Sequence, residues 1–76
     1  MDNYELILYL TIKGGLNIER TATFSFYHKP TSLDIAYAMS DLCNSSFRKK
    51  VIEFTRFEVI EHTYSAIIVD SGLLWD

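Results

Sequence analysis

Between Tyr4 and Lys13 an apolar side chain stands at every second position, Tyr4, Leu6, Leu8, Leu10 and Ile12, with Glu5, Ile7, Tyr9, Thr11 and Lys13 between them. A period of two predicts a strand with one buried face. From Ile18 to His28 the alternation returns, with Ala22, Phe24 and Phe26 set between Thr21, Thr23 and Ser25. This predicts a second strand, rich in β-branched and aromatic types. Gly14-Gly15 invites a two-residue turn, but pairing Lys13 with Leu16 would put the two apolar sets on opposite faces. An odd loop of Lys13, Gly14 and Gly15 removes the conflict, with Gly15 left-handed and Leu10 meeting Ile18, Leu6 meeting Ala22 and Tyr4 meeting Phe24. A loop of Gly14 to Leu16 keeps the same faces but asks Leu16 for positive φ, at a cost on the order of 1 kcal/mol.

Pro30 ends the strand because it lacks a donor and pushes Lys29 away from helical angles. Thr31-Ser32-Leu33-Asp34 reads as a capping box, with Asp34 in the acidic position. The period then lengthens. Ile35, Ala36, Met39, Leu42, Cys43, Phe47, Val51 and Phe54 recur at three and four, which predicts one helix of about six turns. Asn44-Ser45-Ser46 are weak helix formers and predict a bend in it. From Thr55 to Val69 the apolar parity changes, from Phe57 and Val59 to Ile60, Tyr64, Ala66 and Ile68. That is a bulged strand, or two strands with a turn near His62 to Ser65; without Gly, Pro or Asn-Gly at that point, one long strand is preferred. Asp70-Ser71-Gly72 reads as a turn, and Leu73-Leu74-Trp75-Asp76 as a short terminal segment.

The expected fold class is α+β: a ββαβ chain forming an antiparallel sheet of three strands, or four, with one long, kinked helix on one face. The 76 residues make a single domain, 1–76, near the size at which one core supplies only a few kcal/mol. A partner or a second copy of the chain, as a homodimer, is therefore part of the expectation. The face away from the helix carries Glu5, Ile7, Tyr9, Thr11, Thr21, Thr23, Ser25 and Tyr27, an aromatic surface for one meant only for water.

Composition narrows the class. Apolar types make up 49% of the chain and charged types 22%, enough for a packed core. No apolar run approaches the roughly 18 to 20 residues of a membrane span, and Met1-Asp2-Asn3 is no signal sequence, so no membrane partner and a cytoplasmic location are expected. A lone Cys43 suits a reducing compartment, and Asn44-Ser45-Ser46 is read as a chance match to a glycosylation site. The net charge is −3 and unevenly spread: Arg48, Lys49, Lys50 and Arg56 are four of the seven basic residues, whereas Phe57 to Asp76 holds Glu58, Glu61, Asp70 and Asp76 with no Lys or Arg.

Candidate chemistry is sparse. Cys43 beside His28 or His62 is the nucleophile–base pairing available, but Cys43 is expected as a small core residue of the helix. Two isolated His make no metal site, and Gly14-Gly15 precedes a strand rather than a phosphate-binding helix. No enzyme, metal or cofactor is expected. A basic cluster of Arg48, Lys49, Lys50 and Arg56 could touch phosphates, which makes a small nucleic-acid-binding regulator the alternative reading. The residues expected to bind a partner protein are Ile7, Tyr9, Tyr27, Glu58, Glu61, Leu73, Leu74 and Trp75, since exposed Tyr, Trp and apolar patches on a small domain mark interfaces.

The order Tyr4-Glu5-Leu6, a hairpin, then Phe26-Tyr27-His28-Lys29 and Ser32-Leu33 at a helix start resembles the small uracil-DNA glycosylase inhibitors of Bacillus phages. The resemblance covers less than half of the chain. It implies a ββαβ, non-enzymatic, dimeric protein that occupies an enzyme's DNA-binding cleft. The acidic residue that precedes the family's Tyr-His-Lys string is Phe26 here, and the family's protruding aromatic falls on Ile35 or Ala36, so no contact residue carries over. The expected function is a non-enzymatic protein–protein interaction module, a phage or mobile-element inhibitor that occludes a host enzyme or nucleic-acid-binding protein.

Overall fold

A computed structural model describes residues 3–44 and 51–74. β1 (Tyr4–Lys13) forms where the alternation predicts it, and Leu6, Leu8, Leu10 and Ile12 are buried. β2 (Ile18–Phe26) pairs with it antiparallel, with Ile12 opposite Ile18, Leu6 opposite Phe24 and Tyr4 opposite Phe26. The register is thus two residues away from the expected one, although the same faces meet. Among the described residues Gly15 alone has positive φ, at 105°, and Leu16 stays at negative φ in the longer loop. The backbone cost held against this register therefore never arises.

α1 (Ser32–Asn44) starts with the predicted capping box: the Asp34 N–H donates to Thr31 Oγ1 at 3.3 Å, and the Thr31 N–H donates to Asp34 Oδ2 at 2.8 Å. Thr31→Ala leaves the helix start without its side-chain acceptor and should destabilise the fold by about 1 kcal/mol in chemical denaturation. The helix buries Ile35 and Ala38 and half-buries Met39 and Leu42. Ala36 and Cys43 are exposed, contrary to the expected stripe. Seven residues apart, they lie almost one above the other on the flank of a stripe centred on 35, 38, 39 and 42.

The helix is thirteen residues long rather than six turns. Val51 and Phe54, expected on it, belong to β3 (Val51–His62), while Phe47, Arg48, Lys49 and Lys50 lie outside the described residues. β3 pairs with β1 along its whole length, from Lys13 opposite Val51 to Tyr4 opposite Glu61. That pairing satisfies the second edge of β1, and a helix continued to Phe54 would leave the Leu10–Lys13 part of that edge without partners.

β3 and β4 (Ala66–Leu73) form a hairpin across Thr63-Tyr64-Ser65, and not the single bulged strand that was expected. The parity change has another cause: Phe57 and Val59 face the helix, while Ile60 pairs with Ile68 on the far face. Asp70-Ser71-Gly72, read as a turn, lies inside β4. A side chain on Gly72 would put its Cβ 2.8 Å from Phe57 Cε1, so glycine is needed there for close approach.

The sheet order is β2-β1-β3-β4, antiparallel throughout, giving a ββαββ chain. Leu6, Leu8 and Val59 are fully enclosed and form the core with Ile35 and Ala38. Register shifts leave Thr55 of β3 and Val69 of β4 as extra residues. The Thr55 hydroxyl donates to the Tyr9 carbonyl at 3.0 Å, and its own carbonyl accepts from the Leu74 N–H at 2.9 Å, which pins the bulge on both sides. Among the described residues no helix is long and apolar enough to cross a membrane.

Candidate functional site

α1 covers one face of the sheet, and the pairing registers lay out the other in rows. Thr21, Tyr9, Arg56 and Leu73 stand side by side across the four strands. The next row is Thr23, Ile7, Glu58 and Ser71, and the one after it Ser25, Glu5, Ile60 and Ile68. Alternation along each strand puts these side chains on the same surface.

Tyr9, Arg56 and Glu58 form its centre. The Arg56 guanidinium carbon sits 3.9 Å from the centroid of the Tyr9 ring, a cation–π arrangement. The Tyr9 hydroxyl donates to Glu58 Oε1 at 2.5 Å, and Arg56 Nη1 donates to Glu58 Oε2 at 2.9 Å. Each group holds another in place. The Thr55 bulge aims Arg56 at the ring by shifting the β3 register opposite Tyr9. Beside the triad is an open hollow of about 600 Å³ bordered by Thr11, Thr21, Glu19 and Thr55.

Two shifts follow from these bonds. The hydrogen bond from Tyr9, then that from Arg56, holds the Glu58 carboxyl below its ordinary value of 4.5. The same bond to Glu58 raises the Tyr9 phenol above its ordinary 10.0, and Glu61 raises Tyr4 likewise. A lowered carboxylate contributes stability above its unfolded value, lost as pH falls through the folded one; a raised phenol contributes below its unfolded value and loses it as pH rises. Tyrosinate absorbance should therefore develop at higher pH in the native chain than in the chain unfolded in urea, and Tyr9→Phe and Tyr4→Phe should each remove part of the lag. Superimposable native and unfolded titrations would contradict the hydrogen bonds.

The structure gathers Ile7, Tyr9, Glu58 and Leu73 of the expected partner-binding residues on this open face. Glu61 is on the helix side, where it accepts the Tyr4 hydroxyl at 2.9 Å. Leu74 packs against the core cluster. Tyr27 is 72% exposed but follows Phe26, the partner of Tyr4, and so lies ~20 Å along the sheet from Tyr9. Trp75, like Arg48, Lys49 and Lys50, lies outside the described residues. Arg56, expected among phosphate-binding cations, is drawn into the ion pair with Glu58.

Ile60 and Ile68 complete the apolar part of the face, beyond the residues the sequence assigns to it. Ile60 and Glu58 share a parity with Arg56, a signal that reads equally as a break within one strand. His62 adds a polar margin, with Nε2 3.6 Å from Glu5 Oε1. Among the described residues no group of His, Cys, Asp or Glu is arranged to hold a metal ion. Compared with known proteins, the chain matches no family model, no curated protein and no solved structure.

Proposed function

We propose that this chain is a non-enzymatic protein–protein interaction module, an inhibitor of the phage or mobile-element kind that occludes a host enzyme or nucleic-acid-binding protein. The observation that carries this reading is the open sheet face, on which Ile7, Tyr9, Ile60, Ile68 and Leu73 surround a charged group already locked in position. An apolar and aromatic centre with hydrogen-bonded charges is the make-up of interface hot spots. Rigidity matters here as much as composition. Tyr9 is held by Glu58 and Arg56, so little side-chain freedom remains to be lost on association.

The test is comparative capture. The wild-type chain and the variants Tyr9→Ala and Leu73→Glu are immobilised and exposed to the same lysate, with retained proteins quantified by mass spectrometry. A true partner is retained by the wild type and reduced by both variants, and its purified form should bind Tyr9→Ala more weakly by about 1 kcal/mol or more. Equal retention on all three baits would remove the open face from consideration. The nucleic-acid alternative, resting on Arg48, Lys49, Lys50 and Arg56, instead predicts retention that falls steeply with salt and disappears with nuclease.

A further inference from the structure

The helix-covered side of the sheet is not closed at β2. Between α1 and this edge strand runs a groove of about 480 Å³, floored by Phe24 and Phe26 and walled by Asp34, Tyr37 and Asp41. Asp34, Tyr37 and Asp41 are spaced by three and four, so one side of the helix faces the groove. Tyr37 is 65% exposed. Among the described residues that line it, the charges are all negative. Asp34 is held ionised by the Thr31 backbone N–H and His28, while Asp41 stands exposed.

β2 is one edge of the sheet, and its register with β1 runs without a shift from Phe26 to Ile18. The other edge, β4, is broken by the extra residue Val69. A bulge is how an edge is made unfit for further pairing; an unbroken edge offers evenly spaced free N–H and C=O groups. β2 is thus the edge ready to receive a strand.

We propose that β2 and the α1 groove together take an extended segment of a partner protein, added as a fifth strand, whose groove-facing side chains alternate between apolar and basic. Main-chain bonds to β2 hold the segment, Phe24 and Phe26 receive its apolar side chains, and the exposed Asp41 attracts the basic ones, the Asp34 carboxylate being already engaged by Thr31 and His28. This surface is separate from the open face, so either can fail without the other.

The probe is a dye-labelled octapeptide with Lys and Val in turn at every second position and Thr elsewhere, followed by fluorescence anisotropy and by amide chemical shifts of the intact chain. Saturable binding is expected, with shifts concentrated in Thr21–Phe26 and Tyr37–Asp41. Exchanging Lys for Glu in the peptide, or Asp41→Lys in the protein, should weaken binding about tenfold or more. N-methylation of alternate peptide amides should abolish it in one of the two phases, which charge attraction alone would not. Asp41→Lys and Tyr37→Ala change exposed side chains and leave the core alone. Equal affinity for the Lys and Glu peptides, indifference to both N-methyl phases, shifts confined to the open face, or β2 shifts that appear on raising protein concentration without peptide would each overturn the proposal.

Discussion

Replacing Leu8 with Ala should leave much of the protein unfolded at room temperature. Leu8 is fully enclosed at the centre of the sheet, opposite Ala22 on one side and Phe57 on the other, beneath Ile35 and Ala38. Removing its isobutyl group costs the transfer free energy of the lost carbons and leaves a cavity that two flanking strands cannot collapse into, about 3–5 kcal/mol together. A domain of this size has a net stability of only about 3–5 kcal/mol. The variant should therefore show a collapsed denaturant midpoint and lose most of its native signal. Leu8→Met, which conserves volume, should cost less than about 1.5 kcal/mol. A small effect of Leu8→Ala would mean that the core is centred elsewhere.

Gly72→Val should cost about 1–3 kcal/mol, through overpacking and not through the backbone. The Gly72 Cβ position lies 2.8 Å from Phe57 Cε1 and 3.3 Å from Cζ, and the half-buried Phe57 ring is packed against the core cluster. Gly72 has no positive φ, so relief must come from the ring. Combining Gly72→Val with Phe57→Leu should restore part of the loss, with a coupling of about 0.5–3 kcal/mol between the two sites. Strict additivity would show that strand and ring do not meet.

The parts legible in the chain were those set by local rules. β1, β2 and the capping box follow from alternation and from hydrogen bonds spanning three residues, and they stand where expected. What failed were inferences in which a local pattern had two solutions. The spacing of Ile35, Ala36, Met39, Leu42, Cys43, Phe47, Val51 and Phe54 fits a helix, yet Val51 and Phe54 also fit a strand, and the unpaired edge of β1 decides for the strand. The Thr63-Tyr64-Ser65 turn carries no glycine or proline, so hairpin and bulged strand read alike until Ile60 is seen opposite Ile68.

The candidate site divides in the same way. That Ile7 and Tyr9 point away from the core was determined by sequence parity alone, because in a strand neighbouring side chains cannot share a face. That Arg56 and Glu58 close on Tyr9, that Leu73 joins them, and that Leu74 and Glu61 do not, was decided only by the tertiary pairing of β1, β3 and β4. The reason is physical: alternation specifies which side of its own strand a residue occupies, but the Thr55 and Val69 bulges set which residues of separate strands stand together. The Thr55 bulge depends on a contact between segments 46 residues apart in the chain, from Tyr9 to Thr55, and the Val69 bulge on a hairpin whose turn carries no glycine or proline.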